Sequence, residues 1–205
     1  MIIIGYSGHS FVACSVLNAM GKVVTSYCDY EEKELNPYGL TFLGPESTTE
    51  AHEAIIKSEF FIGVGDNRIR KKVFERFAGF EKFPVNALHP SAIIDQRVHL
   101  GKFGVLICAG TIVNALAHIE DGAICNTGCI IEHECYVGRF AHIGPGAVLC
   151  GNVKVGEGSF VGAASVIRQG VKIGAFATIG AGAVVLKDVA DNEVVVGNPS
   201  RYLKS

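Results

Sequence analysis

From Ile107 to Val185 an apolar residue recurs at every sixth position: Ile107, Val113, Ile119, Cys125, Ile131, Val137, Ile143, Leu149, Val155, Val161, Ile167, Ile173, Ile179 and Val185. All are aliphatic except Cys125, itself a small apolar filler. Two residues before each stands a small or β-branched residue, from Val105, Thr111 and Ala117 through to Ala177 and Ala183. The residue after is often glycine, as at Gly138, Gly144, Gly156, Gly162, Gly174 and Gly180. A helix repeats every 3.6 residues and a strand every two, so neither produces this frame. A triangular parallel coil does, with one short strand and one corner per six residues and three per turn. The aliphatic side chain fills the interior, the small one packs near the corner, and the glycine is expected to supply the corner's positive φ. The rhythm reaches back to Ile94 and Leu100 and slips by one residue before Ile107. The coil is therefore expected to start near residue 88 and to make about five turns.

Residues 1–86 follow a different grammar. "MIIIG" is a short apolar run, residues 9–20 look helical, "KVVTSY" reads as a strand and "EFFIGVG" as another. "DNRIRKKVFERF" is an amphipathic helix starting near Asp66 or Asn67. Strands alternating with helices predict a small parallel α/β, Rossmann-like domain over 1–86, followed by the coil and its closing segment over 87–205. "FPVNALHPSA" joins them.

Charge divides the halves too. Residues 101–186 hold ten of the 38 Asp, Glu, Lys and Arg residues. A coil so poor in charge is expected to hide faces against copies of itself. The net charge of −2 gives no basic footprint for nucleic acid. Seven cysteines without a CxxC suggest no disulfide framework, and Cys125, Cys129 and Cys135 fall at core positions. The longest uncharged run, 103–119, obeys the coil's rhythm and is not read as a membrane span. "MIIIGYSGHSFVA" lacks a basic region and is not read as a signal peptide. The expectation is a cytoplasmic protein.

Two places could carry chemistry. In the first half, "MIIIG" runs into "GYSGHS" and a helix, where Gly5 and Gly8 let the backbone approach a ligand and the helix start favours an anion such as a diphosphate. The full G-x-G-x-x-G fingerprint is absent, so a plain βα turn and a dinucleotide site both stay open, with Asp29 placed as a ribose acid would be. "GVGDN", ending another strand, would share that sheet edge. In the second half, Glu132-His133-Glu134 follows the inward Ile131 and so lies at a corner, pointing out. A solvated corner histidine is one reading. The other is a general base held by a carboxylate, favoured by three large polar residues grouped where many corners carry glycine.

These motifs carry a resemblance. The coil, the closing "VVVGNPSR", the "GYSGHS" loop, "GVGDNRIRKK" and "IEHECYVGRFAHIGPGAVLCGNVKVG" together resemble the left-handed β-helix, hexapeptide-repeat acyltransferases. Within them they resemble the branch containing the UDP-4-amino-sugar N-acetyltransferases of bacillosamine synthesis and the sialic acid O-acetyltransferases. The likeness covers essentially the whole chain. It implies an acetyl-CoA-dependent transfer to a nucleotide-linked amino sugar without a metal, in a homotrimer with active sites between coils. It implies His133 as catalytic base and Glu134 as the carboxylate that enhances its basicity. His142, Gly151, Ala163 and the Gly180-Ala181 corner match positions along the coenzyme. Ser7, Gly8 and His9 match the nucleotide-sugar loop, and Gly65 a further contact. Asp29 matches the first of two aspartates facing the base; the second is Tyr30 here, a departure that leaves the nucleotide open. Rival readings are a sugar O-acetyltransferase, a zinc carbonic anhydrase using His118, His133 and His142, and a sugar-nucleotide-binding trimer without activity.

Overall fold

The computed structural model describes residues 1–203, so the last two residues of the 87–205 unit lie outside the described residues. The N-terminal unit is a parallel sheet of β1 (Ile2–Ile4), β2 (Ser26–Cys28), β3 (Thr41–Phe42) and β4 (Phe60–Ile62) in the order β3-β2-β1-β4. Three helices accompany it: α1 (Gly8–Ala19), α2 (Thr49–Lys57) and α3 (Asn67–Ala78). The strand expected in "KVVTSY" is confined to its end, and β3 and α2 are additions to the sequence reading. β3 lies in a stretch punctuated by Pro37, Gly39, Gly44 and Pro45, which breaks any periodic signal, and α2 follows directly on it. Thr48 caps α2 by accepting from the Ala51 N–H. Asp66 caps α3, accepting from Arg68 and Ile69 at 2.9 and 2.8 Å. α3 buries Arg70, Val73, Phe74 and Phe77.

The coil begins with the strand Ala87–Leu88. Each strand of its regular turns has two residues, the first directed outward and the second into the shared core. Ladder partners in these turns are eighteen residues apart, as in His118↔Tyr136 and Val137↔Val155, so each turn restacks the previous one. The prism has three faces. Face I runs through Leu106–Ile107, Ile124–Cys125, His142–Ile143, Phe160–Val161 and Thr178–Ile179. Its first turns are roofed by the N-terminal unit, Leu106 and Ile124 packing in one cluster with Tyr6 and Leu17. Face II presents Ile93, Ile112, Ile130, Val148, Val166 and Val184, all aliphatic. Face III presents His99, His118, Tyr136, Lys154 and Lys172. Arg201–Tyr202 closes the end, antiparallel to Val194–Val196.

The glycines that follow the inward residue do not supply positive φ. That conformation falls two positions later, at Gly122, Gly146, Gly158 and Gly182, and also at Glu134, Phe140 and Phe176. The glycines after the inward residue answer a different need. A Cβ on Gly162 would lie 2.6 Å from the Ala181 nitrogen of the next turn. At such turns the stacked backbones approach so closely that a Cβ would force them to shift.

Candidate active site

His133 stands on the edge between faces II and III, in the corner 132–135. Its side chain is 53% exposed and its Nδ1 lies 3.0 Å from Glu134 Oε2. With Nδ1 engaged by a carboxylate, Nε2 is the nitrogen left to take a proton. Glu134 occupies the left-handed corner conformation at φ 61°. Leu116 and Phe140 do the same, so the strain belongs to the corner and does not mark chemistry. Glu132 accepts from Asn114 Nδ2 at 2.9 Å and stays apart from the imidazole pair.

Gly151 is one turn below, on the same edge. A Cβ there would come within 2.5 Å of His133 Cε1 and Nε2, so glycine makes the bed for the ring. Gly151→Ala is therefore expected to tilt the imidazole and lower kcat by roughly 10²-fold, since a displacement of about 1 Å at a reacting group has that effect. Wild-type kcat in a folded Gly151→Ala protein would rule out a catalytic part for the ring in this seat.

The other expected residues gather elsewhere. His142 lies on face I, only 7% exposed, with its ring 5.6 Å from that of His9 and 5.1 Å from Phe160. Gly65 packs against His9, where a Cβ would sit 3.3 Å from Cγ. Ser7 and Gly8 are exposed at the head of α1, and a Cβ on Gly8 would meet nothing within 4 Å. Asp29 ties this loop to the end of β2: Oδ2 accepts from Tyr6 N at 2.8 Å, Oδ1 from Tyr30 N at 2.7 Å, and Lys33 Nζ lies 3.3 Å away. Ala163, Gly180 and Ala181 lie on the edge between faces I and II.

The expected residues thus fall into two groups on one chain. His133, Glu134 and Gly151 occupy the edge opposite face I. His142 and the loop of residues 7–9 occupy face I, and Ala163, Gly180 and Ala181 its border with face II. His118 lies on a strand of face III, whereas His133 lies on a corner and His142 on face I. Among the described residues no group of three His, Cys, Asp or Glu is placed to hold a metal, and no helix is long and apolar enough to cross a membrane.

Three residues beside His142 were not expected from the sequence. Asn126 Nδ2 lies 3.1 Å from His142 Nε2. Arg70 approaches from α3, and Asn67 donates from the head of that helix to the Gly158 carbonyl at 2.9 Å. Arg70 left a legible signal: it falls on the apolar stripe of its helix, in step with Val73, Phe74 and Phe77. Asn126 follows an inward residue, where many other turns carry glycine.

Burial, reinforced by the Arg70 charge, pushes the His142 pKa down to about 3 and that of His9 to about 4. Both are neutral in the folded protein at pH 7. Below pH 6.5 the unfolded chain takes protons these two rings refuse, so stability falls as pH drops from about 6.5 toward 4. Each ring contributes a slope of about 1.4 kcal/mol per pH unit. His142→Gln is expected to remove one proton from that slope in urea unfolding between pH 6.5 and 4. An unchanged slope would show that His142 is protonated in the native state.

Residues 1–77 match the PglD N-terminal domain, and residues 134–169 and 152–187 match the bacterial transferase hexapeptide (six repeats). The crystal structure of PerB from Caulobacter crescentus, in complex with CoA and GDP-perosamine, superposes with a TM-score of 0.91 at 36% identity, over 99% of this chain and 96% of that one. The GDP-perosamine N-acetyltransferase of Escherichia coli O157:H7 is 30% identical over 98 residues, 48% of this chain and 44% of that protein. The UDP-N-acetylbacillosamine N-acetyltransferase of Bacillus subtilis is 33% identical over 108 residues, 51% of this chain and 50% of that protein. The matched stretches thus span about half the length of the two curated relatives.

Proposed function

The chain belongs to the bacillosamine-type branch of the hexapeptide-repeat acyltransferases, and from that premise we propose that it transfers the acetyl group of acetyl-CoA to the amino group of a nucleotide-linked amino sugar. The observation that carries this reading is the exposed His133 imidazole, engaged by Glu134 through Nδ1 and seated over Gly151. Nε2 removes the proton of the amine as its nitrogen attacks the thioester carbonyl. The C–N bond forms, the C–S bond breaks, and the imidazolium returns the proton to the departing sulfur. The acceptor is a 4-amino sugar on UDP or GDP, held by the Ser7-Gly8-His9 loop, Asp29 and Gly65. Coenzyme A lies against His142, Gly151, Ala163, Gly180 and Ala181.

Those coenzyme contacts lie on different edges of one chain, so the site needs a second copy. The aliphatic face II supplies the reason for one. Turned toward a threefold axis, it brings its II/III edge to the I/II edge of the next copy, head to tail. His133 and Gly151 of one protomer then face the coenzyme-binding edge and face I of its neighbour.

Acetyl transfer to UDP-, GDP-, dTDP- and CMP-linked sugars, with amine and hydroxyl acceptors run in parallel, tests the proposal. A 4-amino sugar on UDP or GDP is expected to be the best acceptor. Turnover confined to hydroxyl acceptors would overturn the N-acetyl assignment, and no coenzyme A release with any of them would overturn the enzyme.

A further inference from the structure

Arg70 is 2% exposed and joins the two halves of the chain. Nε donates to the Gly122 carbonyl at 2.8 Å and Nη2 to the Phe140 carbonyl at 2.7 Å, both on the coil. Nη1 donates to the Val64 and Gly65 carbonyls at 3.1 and 3.0 Å, at the end of the N-terminal sheet, and Nη2 also to Asn67 Oδ1 at 2.8 Å. All five N–H groups of the fork are spent on neutral oxygens. Among the described residues no carboxylate lies within ion-pair distance of it. A buried cation without a counter-ion is costly, and an apolar side chain of similar size would fill the same stripe of α3 more cheaply. Its geometry therefore calls for a role beyond packing.

The neighbouring hydrogen bonds indicate that role. Asn126 Oδ1 accepts from the Thr127 N–H at 2.8 Å, which turns its amide nitrogen toward His142. His142 Nε2 must then accept, so the ring proton sits on Nδ1. Nδ1 is buried without a full hydrogen bond, and the backbone group that acts on the ring is Gly65, whose carbonyl Arg70 holds. His9, its own Nε2 also buried and unpartnered, packs against Gly65 with its ring 5.6 Å from that of His142.

We propose that Arg70 is a positioning residue: it clamps the Gly65 end of the N-terminal sheet onto two corners of the coil, and so fixes His9 and His142 in the arrangement that acceptor and coenzyme meet. This rests on the acetyltransferase reading for its consequence, but the clamp itself is observable without any ligand. Its charge also opposes protonation of both rings.

Two variants separate geometry from charge. Arg70→Lys keeps the cation but cannot span both halves with one ammonium. It is expected to fold, to leave the His142 titration low, and to lose roughly 10²-fold in kcat/KM. Arg70→Met removes both, and the His142 titration, followed by imidazole nitrogen NMR on ligand-free protein, is expected to move up. Should Arg70→Met fail to fold, Arg70→Lys alone decides. A folded Arg70→Lys protein with wild-type kcat/KM, or a folded Arg70→Met protein with an unmoved His142 titration, overturns the proposal. If the acetyltransferase reading fails instead, the wild type transfers nothing to any acceptor while the NMR difference between wild type and Arg70→Met persists.

Discussion

His133→Ala is expected to lose about 10²–10⁴-fold in kcat while remaining folded. The expectation joins two independent facts. The imidazole is half exposed on an edge of the coil, so its removal opens no cavity in the core. Substitutions at such sites shift stability by only about 0.5 kcal/mol. The same ring is the one imidazole of the proposed site held by a carboxylate with its second nitrogen left open, because His142 and His9 are buried and neutral. Loss of the base should therefore appear in turnover and leave coenzyme binding close to wild type. Thermal unfolding and calorimetric titration with coenzyme A check the first half, and steady-state kinetics with the best acceptor checks the second. A folded His133→Ala protein with wild-type kcat removes His133 from the chemistry. A protein that unfolds would show that the corner is structural.

The coil was legible because its environment repeats. Each turn asks the same question of residues eighteen apart, and fourteen inward positions give the same answer. The corners were less so. Glycine after the inward residue suggested positive φ, but the constraint there is the backbone of the next turn, which a single hexapeptide does not contain. The N-terminal sheet was recognised through β1 and β4, whose apolar runs are uninterrupted. β3 has only two residues, in a run of four between Gly39 and Gly44, and has no period to read.

The site divides in the same way. His133 could be placed on a corner from its distance to Ile131. That His142 is buried could not be read, since its place in the repeat equals that of the partly exposed Phe160 and Thr178. Only the docking of the N-terminal unit on the first turns of face I distinguishes them, and that is a tertiary fact. Arg70 and Asn126 belong to the same docking. The separation of the two groups, by contrast, is carried by the residue numbers: Gly151 is one full turn from His133, whereas His142 is nine residues, half a turn, away.

That half turn leads to the second large effect. Two inactive variants are expected to restore activity when they share a trimer. His133→Ala damages only the II/III edge. Gly8→Phe damages only the loop above face I, where a Cβ meets open space and the ring would occupy the acceptor's place without straining the fold. Each protein alone should be nearly inactive. After joint dissociation and reassembly at equal amounts, each junction draws its edge from one protomer and its face from the next. A working junction pairs the His133 edge of a Gly8→Phe copy with the intact loop of a His133→Ala copy, which random mixing gives at about a quarter of junctions. The mixture should therefore recover about a quarter of wild-type activity, from a starting level of about 1% or less set by the loss of the base. Sedimentation of the reassembled sample verifies that mixed trimers formed. If they form and activity stays at the sum of the two parents, acceptor and base meet within one chain and the intersubunit site is wrong. If the wild type sediments as a monomer at micromolar concentration, the aliphatic face II has another purpose and the head-to-tail junction falls with it.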